Sequence, residues 1–200
     1  MSAEQALALV AALSLAILSP GPAIVAAIQT AFAQGRDRAL PYALGLATGA
    51  SLWCIVALLG LTVIFQLHPG LYSGMKVFGG LYLLWFGWSL WRASTRPLPD
   101  AAGGVRRSFW GGIALNLSNP KPALFYAGLI LSLFPDRLTP GLQAGIYALC
   151  LGTELFWYAT VTVLMSTAMM RARYFSAKLW IDRAAALALA LLGVLLILGH

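Results

Sequence analysis

Long apolar runs alternate along the chain with short gaps that hold nearly all of its charge. The runs fall at about 5–32, 40–67, 71–91, 109–134, 138–170 and 179–199. A helix that crosses a bilayer needs roughly 20 mainly apolar residues, so the pattern predicts six helical spans. The stretch 39–67 contains no Lys, Arg, Asp or Glu. In the last run only 184–199 is free of charge, and Asp182 and Arg183 are therefore expected at headgroup level with side chains reaching out to water. The first run is longer than a secretory signal core, is interrupted by Pro20 and Pro22, and is preceded by Glu4 rather than by Lys or Arg. It reads as a span.

Composition acts mainly by exclusion. Hydrophobic residues make up 60% and charged residues 10% of the 200 positions, against about half and about a quarter in soluble domains. A nucleic-acid binder, a secreted disulfide scaffold and a disordered chain are all excluded. The net charge of +7 matters through its placement. Ten of the thirteen Lys and Arg follow runs one, three and five: Arg36 and Arg38; Arg92, Arg96, Arg106 and Arg107; Arg171, Arg173, Lys178 and Arg183. The positive-inside rule puts those gaps in the cytoplasm and both termini outside. Tyr42, Trp91, Trp110, Tyr174 and Trp180 lie beside the same gaps and read as interfacial anchors rather than ligand contacts.

The two halves repeat. At an offset of 100, Ser19-Pro20-Gly21-Pro22-Ala23 aligns with Asn119-Pro120-Lys121-Pro122-Ala123, and Gly45 with Gly145. Three spans repeated once must invert, because the second half starts on the opposite side. The expected organisation is one all-α integral membrane domain, an inverted repeat of three plus three spans over about 1–93 and 108–200. A linker of about 94–107, with Pro97, Pro99, Gly103 and Gly104, joins the repeats. Each Pro-x-Pro should break its span, the first and the fourth, since proline removes a donor and clashes with the preceding turn. Freed backbone at bilayer depth is tolerated only inside protein or beside a water-filled cavity, and breaks at corresponding places in two halves point to a transporter's substrate site. Two independent structural kinks are the alternative.

Ionisable residues inside spans are expensive and few: Lys121 in the fourth, Glu154 in the fifth and Lys76 near the start of the third. Lys121 stands between the prolines, placed to hold a substrate carboxylate or to pair with Glu154. Glu154 is the candidate for proton coupling if it stands unpaired, structural glue if it pairs with Lys121, or a cavity-facing residue without a coupling role. Lys76 either takes part in coupling or snorkels to the outer interface. Asn116 and Asn119 offer donors and acceptors for substrate or for broken backbone. The candidate substrate-binding set is thus Ser19, Pro20, Gly21, Pro22, Asn116, Asn119, Pro120, Lys121 and Pro122, with Glu154 and Lys76 as candidate coupling residues. Gly45, Gly49, Gly111 and Gly112 suit close helix packing. No nucleotide-binding motif and no metal-ligand spacing occurs, His68 and His200 included, and no cofactor is implied. Cys54 and Cys150 form no CxxC pair and read as small buried apolar residues.

With these residues in view, the chain resembles the lysine exporter and homoserine/threonine efflux (LysE/RhtB) family over nearly its whole length. The resemblance rests on Ser19-Pro20-Gly21-Pro22, Gly45-x3-Gly49, Lys76 with Gly79, Tyr82-Leu83 and Gly87, and Leu115-Asn116-Leu117-Ser118-Asn119-Pro120-Lys121 followed by Leu124-Phe125. It implies six-span export of amino acids or related small metabolites from a bacterial cytoplasm across the inner membrane, in exchange for protons. Ala23 stands where members often carry Asn, and Ala50 where many carry an acidic residue, which shifts any coupling role toward Glu154. The expected partners are a small-molecule substrate, protons and the lipid bilayer, with a homodimer left open. Rival readings are a transmembrane thiol-disulfide electron carrier using Cys54 and Cys150, an inorganic-ion exporter, and a non-transporting assembly protein.

Overall fold

The computed structural model describes residues 1–19, 21–67, 69–96, 107–134 and 138–198. Pro20, His68, most of the linker (97–106, with Arg106), Arg137 and His200 lie outside the described residues, as do the side chains of Lys76, Pro120 and Arg171. All regular structure among the described residues is helical: α1 (Ala3–Leu18), α2 (Pro22–Gln34), α3 (Arg36–Leu67), α4 (Pro69–Ala93), α5 (Phe109–Leu117), α6 (Pro120–Leu133), α7 (Pro140–Met165) and α8 (Ala168–Leu198).

The helix starts follow from local chemistry. Ser2 and Gln5 form a reciprocal capping box at α1, Ser2 Oγ accepting from the Gln5 N–H and the Gln5 side chain from the Ser2 N–H. Thr139 caps α7 ahead of Pro140, and proline suits the first helical position because its missing N–H would have had no intrahelical partner there. Between α2 and α3 the chain reverses at Gly35, whose φ of 76° lies in the left-handed region.

Helices α7, α8 and residues 36–61 of α3 are each long and apolar enough to cross a bilayer. Helices α1 and α2, bent by 62° at their junction, make a fourth crossing if the pair is one span. The chain is an all-helical membrane protein. Without a hydrophobic drive between helices in lipid, close packing depends on small residues at the contact. A Cβ on Gly45 would lie 1.9 Å from the Phe109 carbonyl oxygen, and one on Gly112 would lie 2.3 Å from that of Tyr42. Helix α5 is thus seated directly on the backbone of α3, which brings the α5–α6 junction into the middle of the bundle beside the α1–α2 junction.

Candidate functional site

The site grows out of missing backbone donors. In an α-helix the carbonyl of residue i accepts from the N–H of residue i+4, but Pro20 and Pro22 have no N–H to give. The carbonyls of Ala16 and Leu18 therefore need other donors. Lys121 Nζ donates to the Ala16 carbonyl at 3.2 Å, and Tyr174 Oη donates to that of Leu18 at 2.8 Å. One hundred residues on, Pro120 leaves the Asn116 carbonyl in the position of Ala16. It accepts from Trp53 Nε1 at 3.2 Å and from the Asn119 N–H at 3.2 Å. The carbonyls at both helix junctions are thus met by side chains from other helices, with Lys121 of α6 serving the α1–α2 junction.

The two junctions enclose a cavity of about 40 Å³, room for roughly three waters. Ser19, Gly21, Ala23 and Ile24 line it from the first junction, Asn116, Asn119, Lys121, Pro122 and Tyr126 from the second, and Glu154 and Tyr158 from α7. The N-terminus of α2, capped by Gly21 without a side-chain hydrogen bond, opens on this space with the positive end of its helix dipole. The start of α6 differs, because Asn119 caps it by accepting from the Lys121 N–H at 3.0 Å. The Lys121 ammonium also sits 5.4 Å from the centre of the Phe86 ring, a cation–π contact.

Opposite these positive groups stand acceptors. Tyr126 Oη donates to Glu154 Oε1 at 2.9 Å, while Glu154 Oε2 is buried with no hydrogen-bond partner among the described residues. Asn116 Nδ2 donates to the Leu46 carbonyl at 2.7 Å. Asn116 Oδ1 is buried with no hydrogen-bond partner among the described residues. Glu154 is 3% and Asn116 1% exposed, and buried polar atoms are seldom left without partners. The groups on the cavity walls, rather than its present volume, match a ligand that carries an anionic and a cationic group together.

Of the residues singled out in the sequence, Ser19, Gly21, Asn116, Asn119, Lys121, Pro122 and Glu154 line this one cavity, and Pro22, next to Gly21, is not among its lining residues. Lys76 belongs to α4, which contributes no cavity-lining residue among those described. Lys121 and Glu154 form no ion pair here, since the described ion pairs are Arg36–Asp37 and Lys178–Asp182. Three expectations need correction. Asp182 does not reach out to water but is 1% exposed, because Lys178 and Ser19 supply its partners. Tyr42 and Tyr174 are not interfacial anchors, since both are buried, Tyr174 at the Leu18 carbonyl and Tyr42 beneath the Arg107 guanidinium. Trp91, Trp110 and Trp180 are exposed, as anchors should be. Cys54 and Cys150 are free, fully buried and adjacent, and neither lines the cavity. Tyr126 and Trp53 carry no signal in the sequence beyond an aromatic in an apolar run.

Residues 14–200 match the LysE type translocator family. The chain is 36% identical over 193 residues to the threonine efflux protein of Salmonella typhimurium, covering 92% of this chain and 93% of that one. It is 36% identical over 195 residues to the threonine efflux protein of Escherichia coli K12, with the same coverage, and 27% identical over 164 residues to the leucine efflux protein of Klebsiella pneumoniae, covering 78% and 76%. No solved structure matches. A family match over most of the length, with relatives above a third identical from end to end, makes this chain a member of the LysE type translocator family.

Proposed function

We propose that the protein exports amino acids from the bacterial cytoplasm across the inner membrane, in exchange for protons, through the cavity between its two helix junctions. The observation that carries this reading is that the Lys121 ammonium and Glu154, whose Oε2 has no hydrogen-bond partner among the described residues, line one cavity without forming an ion pair. The printed names of the relatives, efflux proteins for threonine and leucine, narrow the zwitterion to an amino acid. In this mechanism the substrate carboxylate meets Lys121 and the N-terminus of α2, and its ammonium meets Glu154 Oε2 and Asn116 Oδ1. Glu154 takes a proton when the substrate has left and yields it when the next ammonium arrives. Binding differs only modestly between the inward-open and outward-open states, or the substrate would not leave.

The architecture proposed for this cycle is six spans in an inverted repeat of three plus three. Spans one (α1 with α2) and four (α5 with α6) are broken at their Pro-x-Pro segments. Contacts between helix ends support it. Gln5 Nε2, at the start of α1, donates to the Leu133 carbonyl at the end of α6 at 2.9 Å. Lys178 Nζ, early in α8, donates to the Ala93 carbonyl at the end of α4 at 2.8 Å. Inverted threading brings these same ends to the same faces.

The test is efflux from proteoliposomes loaded with labelled threonine, leucine and other amino acids, with and without an imposed pH gradient. Wild type is expected to respond to the gradient. Glu154→Gln keeps an acceptor for Tyr126 but turns an amide NH2 toward the substrate ammonium, and should lose gradient-driven efflux and weaken one-for-one exchange as well. Lys121→Ala should lose both while still inserting in the membrane. Normal transport by Lys121→Ala would overturn the site, and wild-type efflux indifferent to the gradient would overturn the coupling.

A further inference from the structure

Beside the first junction, within electrostatic reach of Lys121, lies a second charged cluster. Asp182 and Lys178 stand four residues apart on α8, 1% and 9% exposed, with Lys178 Nζ 2.8 Å from Asp182 Oδ2. The other two protons of that ammonium go to the carbonyls of Ala93 at 2.8 Å and Ser94 at 3.1 Å, just where α4 ends. Asp182 Oδ1 accepts from Ser19 Oγ at 2.7 Å, and Ser19 is itself 1% exposed. Ser19 is the last described residue before Pro20 and lines the cavity.

Two features argue that this cluster sets position. A buried ion pair recovers little of its desolvation cost in net stability, so stability alone is a poor reason to keep one here. A serine at a helix end would ordinarily turn its hydroxyl back to a carbonyl of its own helix. The Ser19 N–H does bond the Leu15 carbonyl at 3.0 Å, but the hydroxyl crosses to α8. We infer that Asp182, oriented by Lys178, is a positioning residue. It fixes the free end of α1 at Ser19, and with it one wall of the substrate cavity, against α8 and the end of α4. The inference rests on the cavity being the transport site.

The test compares wild type, Ser19→Ala, Ser19→Thr, Asp182→Asn, the combination Ser19→Ala/Asp182→Asn, and the double variant Lys178→Met/Asp182→Asn, which removes both charges and so leaves no lone buried ion. Two quantities are read from each reconstituted protein: hydrogen exchange of the 15–25 segment by mass spectrometry, and the KM and maximal rate of threonine exchange. The expected result is about tenfold faster exchange of 15–25 in the double variant, with α7 unchanged. KM should rise about tenfold in Ser19→Ala and in Asp182→Asn, and no further when those two are combined. Ser19→Thr, which keeps the hydroxyl, should stay within about threefold of wild type. Exchange of 15–25 at the wild-type rate in the double variant overturns the inference, as does a hundredfold, multiplicative loss in Ser19→Ala/Asp182→Asn. Faster exchange at an unchanged KM overturns it too, because the cluster would then hold the helix without shaping the site. Faster exchange of 15–25 in a protein whose wild type carries no amino acid supports the positioning of Ser19 and overturns the export reading instead.

Discussion

The Leu18 carbonyl shows what a single proline asks of its surroundings. Pro22 cannot bond it, and Tyr174 Oη, from a helix more than 150 residues away in sequence, does so at 2.8 Å. Leaving a buried acceptor without its donor costs about 1–3 kcal/mol. Tyr174→Phe keeps the ring and its packing and should lower stability by about that amount, seen as a reduced thermal midpoint in detergent. An unchanged midpoint would mean that water reaches the carbonyl. At this scale the sequence is informative where chemistry is local. Lys121 between two prolines and Glu154 alone in an apolar run announce themselves, and both line the cavity. Asp182 misleads because its charge is judged beside Arg183 and the membrane edge, whereas Ser19, which satisfies it, lies 163 residues away.

Helix packing separates residues that the sequence offset of 100 places in register. Gly45 and Gly145 correspond at an offset of 100. A Cβ on Gly45 would meet the Phe109 backbone, with its oxygen at 1.9 Å, while one on Gly145 would meet nothing within 4 Å. Backbone cannot rotate aside as a side chain can, so Gly45→Ala must push α5 off α3. The expected cost is about 1–3 kcal/mol or more, together with reduced transport, because α5 carries Asn116 to the cavity. Gly145→Ala should be neutral or gain about 0.5–1 kcal/mol from the lower entropy of the unfolded chain. Thermal unfolding of the matched pair checks this, and equal stabilities would show that α3 and α5 are not in backbone contact. Element boundaries were legible where hydropathy changes sharply: the run predicted at 40–67 is α3 (Arg36–Leu67). Helix α8 begins at Ala168 rather than near 179. Its first turns carry Arg171, Arg173 and Lys178, residues that form helix well but are not apolar, so a hydropathy pattern passes over them.

For the whole molecule, the proposed threading assigns every helix end to one of two faces. Starting with α1 on one face, an inverted repeat returns the end of α6 to that face and puts the end of α4 and the starts of α5 and α8 on the other. Two long-range hydrogen bonds agree with this: Gln5 to Leu133 and Lys178 to Ala93. In that threading the sequence gaps assigned to the second face carry ten of the thirteen Lys and Arg, and the positive-inside rule would keep such a face on the cytoplasmic side. Helix α8 leaves that face and ends on the other, so the C-terminus should be outside the cytoplasm. Alkaline phosphatase fused after residue 200 should then be active in intact cells, and a green fluorescent protein in the same place dark. The opposite pair of results would place the ten cations outside and turn the molecule over in the membrane. The cavity walls would keep their chemistry, but the end of the path opening to the cytoplasm would be the one now assigned to release, and the orientation proposed for the exporter would fail.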